Sequence, residues 1–438
     1  MYFSQLLDIL LLILSNLEKT AMVLININFL KPGMKLVSDL KTPKGHLLLP
    51  QGNLLDERII ARCKKWGVTQ ADVEAPDNSE EEESLQELDP EALSRAKEHV
   101  RDIFSRQKKG SRFIKVLAAE ALEQKARALN SQDPAPETSS REEAEESSNF
   151  TEEDLPKLEM DAIVQKTEEL ATLPEVFAKI IKTLNDPETT ANSLAEIISY
   201  DVNLSTKIIK LVNSPFYGLI QKVDSISRAI SLLGMQTVKN LAVNASVMEM
   251  FSDLSPEFLD MRSFWRHSIA CGVVAQLLWG STGRKGEEIF FLSGTLHDLG
   301  RLIILKQQPE YMKKVLIHPQ RGQKPLFELE KKIWGFTHQE LGAYLIASWN
   351  FPATFQDLLR YHHFPKNARY PTEATNIHFA DIIVHALEIG DSGEKNVPLI
   401  NPQLEKDLAI NSEQLREILP QINYVVSEMQ EIFFQQEE

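Results

Sequence analysis

The sequence predicts a mainly α protein, an all-α helical bundle with a small β-rich module at its N-terminal side. Three observations carry this. Apolar residues recur at helical spacing through residues 156–390. Strand-like alternation is missing from that stretch. Turn signals such as Pro32-Gly33, Pro43-Lys44-Gly45 and Pro50-Gln51-Gly52 instead separate short apolar runs within residues 23–75.

The bulk properties narrow the function. The 438 residues suffice for two or three domains and at least one large core. Hydrophobic residues make up 43% and charged residues 25%, as in ordinary globular proteins. A net charge of −16 argues against a general nucleic-acid-binding surface. The only cysteines, Cys63 and Cys271, lie far apart and form neither a disulfide framework nor a CxxC knuckle, which points to a reducing, cytoplasmic setting. Residues 1–22 read as a leader of uncertain status. Their apolar run from Leu6 to Leu14 contains Asp8, is too short to span a bilayer and lacks the basic flank of a secretory signal, so Met22 is an alternative start and no membrane partner is expected.

The elements follow in order. Residues 23–75 form the β-rich module, with a short helix bearing Ile59, Ile60 and Cys63 that ends at Gly67, then a last strand over Val68–Val73. Residues 76–155 hold an acidic stretch, a helical hairpin broken near Gly110-Ser111, and a Pro/Ser/Glu-rich linker over 131–155. The hairpin is expected to pack on a neighbour or to pair two subunits of a homodimer. Residues 156–390 form the helical main domain. There Ser193 and Glu196 have capping-box spacing, Leu204, Ile208, Leu211 and Val212 share a face, and Ser225 opens a helix that Gly234 stops. Residues 391–438 form a C-terminal helical extension, its apolar face running from Leu415 through Ile418, Ile422, Val426 and Met429 to Phe433.

The histidines carry the chemistry. His267, the pair His297-Asp298, His338, the pair His362-His363 and Asp381 are spread over successive helical segments. Neutral imidazole and carboxylate are good ligands for Fe, Mn, Zn, Ni or Co, and a carboxylate can bridge two such cations. A single histidine on an apolar helix is more often a satisfied core residue, and His46, His99 and His318 take that reading. His378 and His385 flank Asp381 on one helix. Either can orient that carboxylate, though a plain structural role is favoured for both.

Several stretches then bear a resemblance. LPEVFAKIIKTLNDPETTANSLAEIISYDVNLSTKIIKLVNSPFYG, SISRAISLLGMQTVKNLAV, FWRHS, SGTLHDLGRLIIL, ELEKKIWGFTHQELGAYLIASWNFP and RYHHFP together resemble the HDOD domain, a member of the HD metal-dependent phosphohydrolase superfamily of bacterial signalling proteins. The KPGM motif, the Gly-x-Leu-Leu-Leu run and the closing WGV similarly resemble an accessory module that precedes some HD-type signalling domains. The resemblance implies a first metal site at His267, His297, Asp298 and Asp381. It implies a second at His338, His362 and His363, with Asp298 bridging, as in the HD-GYP phosphodiesterases. Two departures stand out. Arg301 replaces the lysine that follows the HD pair in HD-GYP proteins, and the GYP signature is replaced by HHFPKNARYP. The resemblance therefore implies a regulatory protein whose HDOD domain binds a nucleotide ligand or a signalling partner. The alternative is a metal-dependent phosphohydrolase with Asp298 and Arg301 as catalytic residues. A scaffold whose histidines bond one another is a third reading.

Overall fold

A computed structural model describes residues 22–26, 33–41, 47–56, 58–60, 63, 70–74, 89–107, 111–130, 156–170, 175–214, 216–219, 221–254, 257–401, 403–405 and 412–434. The leader before Met22, the acidic stretch over 75–88, the linker over 131–155, Gly67, Gly110 and His46 lie outside the described residues.

The N-terminal module is β-rich, as the turn signals require. Strand β1 (Met22–Asn26) pairs antiparallel with β4 (Gln70–Glu74), and β2 (Leu40–Lys41) pairs antiparallel with β3 (Leu47–Leu49). Gly33 and Gly52 take positive φ at the two turns that the Pro-Gly signals mark. Leu36, Leu40, Leu55, Ile60, Cys63 and Val73 close a small core separate from the main one.

Helices α1 (Pro90–Ile103) and α2 (Arg112–Asn130) form the expected hairpin. Asp89 caps the first. The Ser111 hydroxyl accepts from the Ile114 N–H at 2.9 Å at the start of the second. Both helices bury their apolar faces in the core of the main bundle. The hairpin therefore packs on a neighbour within its own chain.

The front of the bundle comprises α3 (Met160–Leu170), α4 (Glu175–Asn185), α5 (Ala191–Ser199), α6 (Val202–Val212), α7 (Ile226–Leu233) and α8 (Met235–Met250). Leu204, Ile208, Leu211 and Val212 are buried along one face of α6. Each is worth about 1.5–3 kcal/mol relative to exposure. Ser225 caps α7 and Gly234 ends it with positive φ. The capping box of α5 is formed by Thr190 and Ser193, not by Ser193 and Glu196. The helix starts one turn earlier than that pairing requires, because the Asp186 carboxylate bonds Thr189 and the Glu188 N–H and so closes the preceding turn.

The back comprises α9 (Met261–Ser281), α10 (Glu288–Leu296), α11 (Leu299–Gln307), α12 (Pro309–Leu316), α13 (Leu326–Ile333), α14 (His338–Ser348), α15 (Ala353–Tyr361) and α16 (Pro371–Ala386), with the long α17 (Ser412–Phe434) packed on α9. Helices α9, α10 and α16 are buried on nearly every side, as expected of helices without a polar face. Glycine sets their spacing. A Cβ at Gly272 would fall 2.6 Å from the Phe291 carbonyl oxygen, and one at Gly294 would fall 2.7 Å from the Cys271 carbonyl oxygen, so only glycine permits α9 and α10 to lie this close.

The chain after α16 then straps the hairpin to the bundle. Arg106 pairs with Glu394 at 3.1 Å. The Gln107 amide donates to the Val397 carbonyl at 2.9 Å, and the Asn396 amide to the Asp102 carbonyl at 3.0 Å. No described helix is long and apolar enough to cross a membrane.

Candidate metal centre

Six helices position the side chains. His267 sits two turns into α9, after Asp260 has capped that helix through the Arg262 and Ser263 N–H groups. His297 and Asp298 occupy the junction of α10 and α11. His338 is the first residue of α14, fixed by the Thr337–Glu340 capping box. His362 and His363 follow α15, and Asp381 lies within α16. Close approach again needs glycine: a Cβ on Gly300 would lie 2.1 Å from the His338 carbonyl oxygen, so Gly300 lets α11 bring the His297-Asp298 pair up to α14.

The side chains converge on two carboxylates. Asp381 Oδ1 lies 3.4 Å from His267 Nε2 and 3.7 Å from His297 Nε2, and its Oδ2 lies 3.9 Å from His363 Nδ1. Asp298 Oδ1 lies 3.1 Å from His338 Nε2, and Oδ2 lies 3.4 Å from His297 Nε2. These residues are buried, His363 less completely than the others. Asp298 Oδ1 and both oxygens of Asp381 nevertheless receive no well-formed hydrogen bond. Buried carboxylate oxygens left in that state are costly unless a cation completes them.

The imidazoles are locked in a matching orientation. Nδ1 of His297 lies 2.7 Å from the Gly294 carbonyl, Nδ1 of His362 lies 2.7 Å from the Leu359 carbonyl, and Nδ1 of His338 lies 2.6 Å from Glu330 Oε2. Each partner only accepts, so each Nδ1 carries the proton. In the neutral rings, Nε2 then presents a lone pair to the interior. The Nε2 atoms of His338 and His362 face each other at 3.2 Å. Two lone pairs at that distance repel unless a cation lies between or beside them.

Electrostatics divides the two carboxylates. Burial alone would raise the Asp298 carboxyl. The Arg301 guanidinium, with His297 and His338, outweighs that and holds it well below the usual carboxylate range. Arg301 is itself buried, donating to Asp298 Oδ2 at 2.7 Å and to Glu330 Oε1 at 2.9 Å. Burial opposes the Glu330 charge as well, and His338 and Arg301 restore it. Asp381 has no arginine or lysine in direct contact among the described residues; against burial, His385, 2.9 Å from Oδ1, and His267 hold its carboxyl well down. Burial would lower the His385 imidazole, yet Asp381 raises it to about 9. Burial and the neighbouring His385 push His267 down to about 4, and burial with the adjacent imidazoles holds His362 and His363 well below the ordinary histidine value.

The side chains of His267, His297, Asp298, His338, His362, His363 and Asp381 thus meet in one interior. Arg301 meets them too, but as a buried partner of Asp298 and Glu330. His378 turns away, with Nε2 3.2 Å from the Leu399 carbonyl. His318 accepts from the Gln320 N–H, whereas His99 is a partly exposed partner of Glu388 at 2.8 Å and not a core residue. The spacing on α16 leaves His385 either orienting Asp381 or structural, and it contacts that carboxylate directly. Two contributors escaped the sequence reading. Cys271 lies 3.5 Å from His267 Nε2, and their four-residue spacing on a helix was a usable signal. Glu330 orients His338 from α13, and no local pattern marks it.

Three overlapping sets have ligand atoms within 4.8 Å of one another: His267, Cys271, His297 and Asp381; His338, His362 and His363; and His297, Asp298 and His362. The donor types, the inward lone pairs and the unsatisfied carboxylates all fit a divalent cation.

Comparison with known proteins agrees with this architecture. Residues 170–365 match the HDOD domain. A solved structure from Shewanella amazonensis, described as a candidate phosphohydrolase, is 25% identical; the match covers 62% of this chain and 98% of that one, with a TM-score of 0.50. An HDOD domain protein of unknown function from Geobacter sulfurreducens is 22% identical over 63% of this chain and 100% of its own, with a TM-score of 0.51. An uncharacterised protein of Treponema pallidum is 24% identical over 240 residues, which is 54% of this chain and 46% of that protein. The chain thus spans less than half of the length of that relative.

Proposed function

We propose, from the premise that this chain carries an HDOD domain, that it is a regulatory protein whose buried histidine–aspartate centre holds a divalent metal. The observation that carries this reading is the arrangement of His297, His338 and His362. Each has Nδ1 tied to an acceptor and Nε2 turned toward an incompletely bonded carboxylate or another imidazole. His267, His297 and Asp381 would hold a metal on one side, and Asp298, His338, His362 and His363 on the other.

Burial favours regulation over turnover. The side chains of Asp298 and Asp381 are 2% and 1% exposed. Arg301 commits Nε to Glu330 and Nη1 to Asp298 and the Ser392 carbonyl, so these donors are not presented to a phosphate. A metal in this pocket would polarise a bound oxygen and lower the pKa of a bound water. The neighbour described as a candidate phosphohydrolase keeps hydrolysis as the second reading, with the less buried His363 as the side from which a phosphoester would approach. The test is elemental mass spectrometry of tag-free protein together with a phosphodiester assay in added Mn or Fe. Bound metal without turnover is the expected result. Hydrolysis abolished by Asp298→Ala would establish the second reading, and a metal-free, inactive protein would leave only a scaffold.

A further inference from the structure

We infer that Cys271 is a metal ligand, and that with His267, His297 and Asp381 it closes a four-coordinate site with no position left for water. This rests on the metal-holding reading above and sharpens it. Cys271 stands one helical turn after His267 on α9, fully buried, with Sγ aimed at the space His267 faces.

The distances support the assignment. A tetrahedral centre with metal–nitrogen and metal–oxygen bonds of about 2.0–2.2 Å and a metal–sulfur bond of about 2.3 Å has ligand–ligand edges of roughly 3.3–3.7 Å. The sulfur to His267 Nε2 edge is 3.5 Å, the His267 Nε2 to Asp381 Oδ1 edge is 3.4 Å, and the His297 Nε2 to Asp381 Oδ1 edge is 3.7 Å. The four ligand atoms lie within 4.8 Å of one another. An independent sign of a missing cation is Asp381, whose side chain is 1% exposed and whose oxygens receive no well-formed hydrogen bond. His385 relieves this only in part, because its Nδ1, 2.9 Å from Oδ1, is shared with the Asp381 main-chain carbonyl at 3.0 Å, and Oδ2, 3.9 Å from His363 Nδ1, has no hydrogen-bond partner among the described residues.

The chemistry follows from the donor set. Without metal the thiol stays protonated, since burial and the nearby carboxylates oppose a thiolate. On metal entry the S–H bond breaks, a sulfur–metal bond forms and the proton leaves to solvent. A thiolate selects zinc, cobalt or ferrous iron over manganese or magnesium. Four protein ligands mark a structural or regulatory site, since catalytic zinc sites keep one position open. The Asp381 side is therefore assigned to holding the fold, which leaves Asp298 and its histidines as the side open to an exogenous ligand.

The test loads the chelator-stripped full chain with cobalt(II) and records the near-ultraviolet spectrum. A sulfur-to-cobalt charge-transfer band is expected, lost in Cys271→Ser and kept in Cys63→Ser. The Cys271→Ser change should also weaken zinc binding by about tenfold or more, with a smaller loss for manganese. Cobalt binding with no sulfur band, or a band that survives Cys271→Ser, would overturn the assignment while leaving the metal-holding reading intact. No cobalt binding at all would overturn that reading itself. If Cys271→Ser does not fold, X-ray absorption of the zinc-loaded wild type decides the matter through the presence or absence of a sulfur neighbour at about 2.3 Å.

Discussion

Asp298 and Asp381 are equally buried, yet the chain balances their charges in different ways. Asp298 is paired with the permanent cation of Arg301, which Glu330 holds in turn while orienting His338. Asp381 faces imidazoles and a thiol. The Asp298 side contains a permanent protein cation, although Asp298 Oδ1 still receives no well-formed hydrogen bond. The Asp381 side has no arginine or lysine in direct contact among the described residues, and both its carboxylate oxygens receive no well-formed hydrogen bond. A single pocket thus combines a half braced by a permanent cation with a half faced by imidazoles and a thiol, and each can be disturbed separately.

The largest effect should come from Arg301→Met. It strands two buried carboxylates, and breaking a buried pair in this way costs about 3–5 kcal/mol. Urea unfolding should show that loss with and without chelator, and Arg301→Lys should recover part of it. A loss seen only in the metal-loaded protein would blur the distinction between the halves. Next is Asp381→Ala, which removes a ligand and should lower metal affinity on the order of a hundredfold, about 2.7 kcal/mol, by competition with a chromogenic chelator. Gly300→Ala forces α11 away from the His338 carbonyl and should cost about 1–3 kcal/mol. Because it moves both halves, it should weaken stability and metal binding together.

The pH dependence of the metal-free protein separates its histidines by sign. His267, His362 and His363 have depressed values when folded, so the unfolded chain binds more protons, and stability falls as pH drops below the unfolded histidine value of about 6.5. His385 is raised to about 9, so its contribution is complete below about 6.5 and is lost as pH rises through about 9. Denaturation midpoints should therefore peak near neutrality, and His385→Gln should remove the alkaline decline. The smallest effect is expected at His99→Gln, which breaks a partly exposed pair with Glu388 and should cost about 0.2–1 kcal/mol without changing metal content.

What the sequence disclosed follows the same physics. Helical apolar spacing revealed the bundle and the α6 face, because amphipathic helices record their burial locally. The same logic placed the C-terminal helix, where Leu415, Ile418, Ile422 and Met429 are indeed buried. The paired histidines and Asp381 were legible because they sit in distinctive local strings. Glu330 was not, since FELEKKIW looks like an ordinary solvated helix and only the tertiary fold turns that glutamate toward His338. The alternative reading gave Arg301 a catalytic role, but a side chain's direction is set by what packs around it, and here Asp298 and Glu330 hold its Nη1 and Nε. Nothing local showed that the chain after α16 would bind the hairpin, since those contacts join residues nearly three hundred positions apart.

The most direct test of a metal-dependent Asp381 side is the metal content of tag-free protein, measured by elemental mass spectrometry for the wild type, Asp381→Ala and Arg301→Lys. The account predicts stoichiometric metal in the wild type, retention in Arg301→Lys and loss in Asp381→Ala. A folded wild type that stays metal-free after incubation with zinc, iron or cobalt, or equal metal in the wild type and Asp381→Ala, would contradict it.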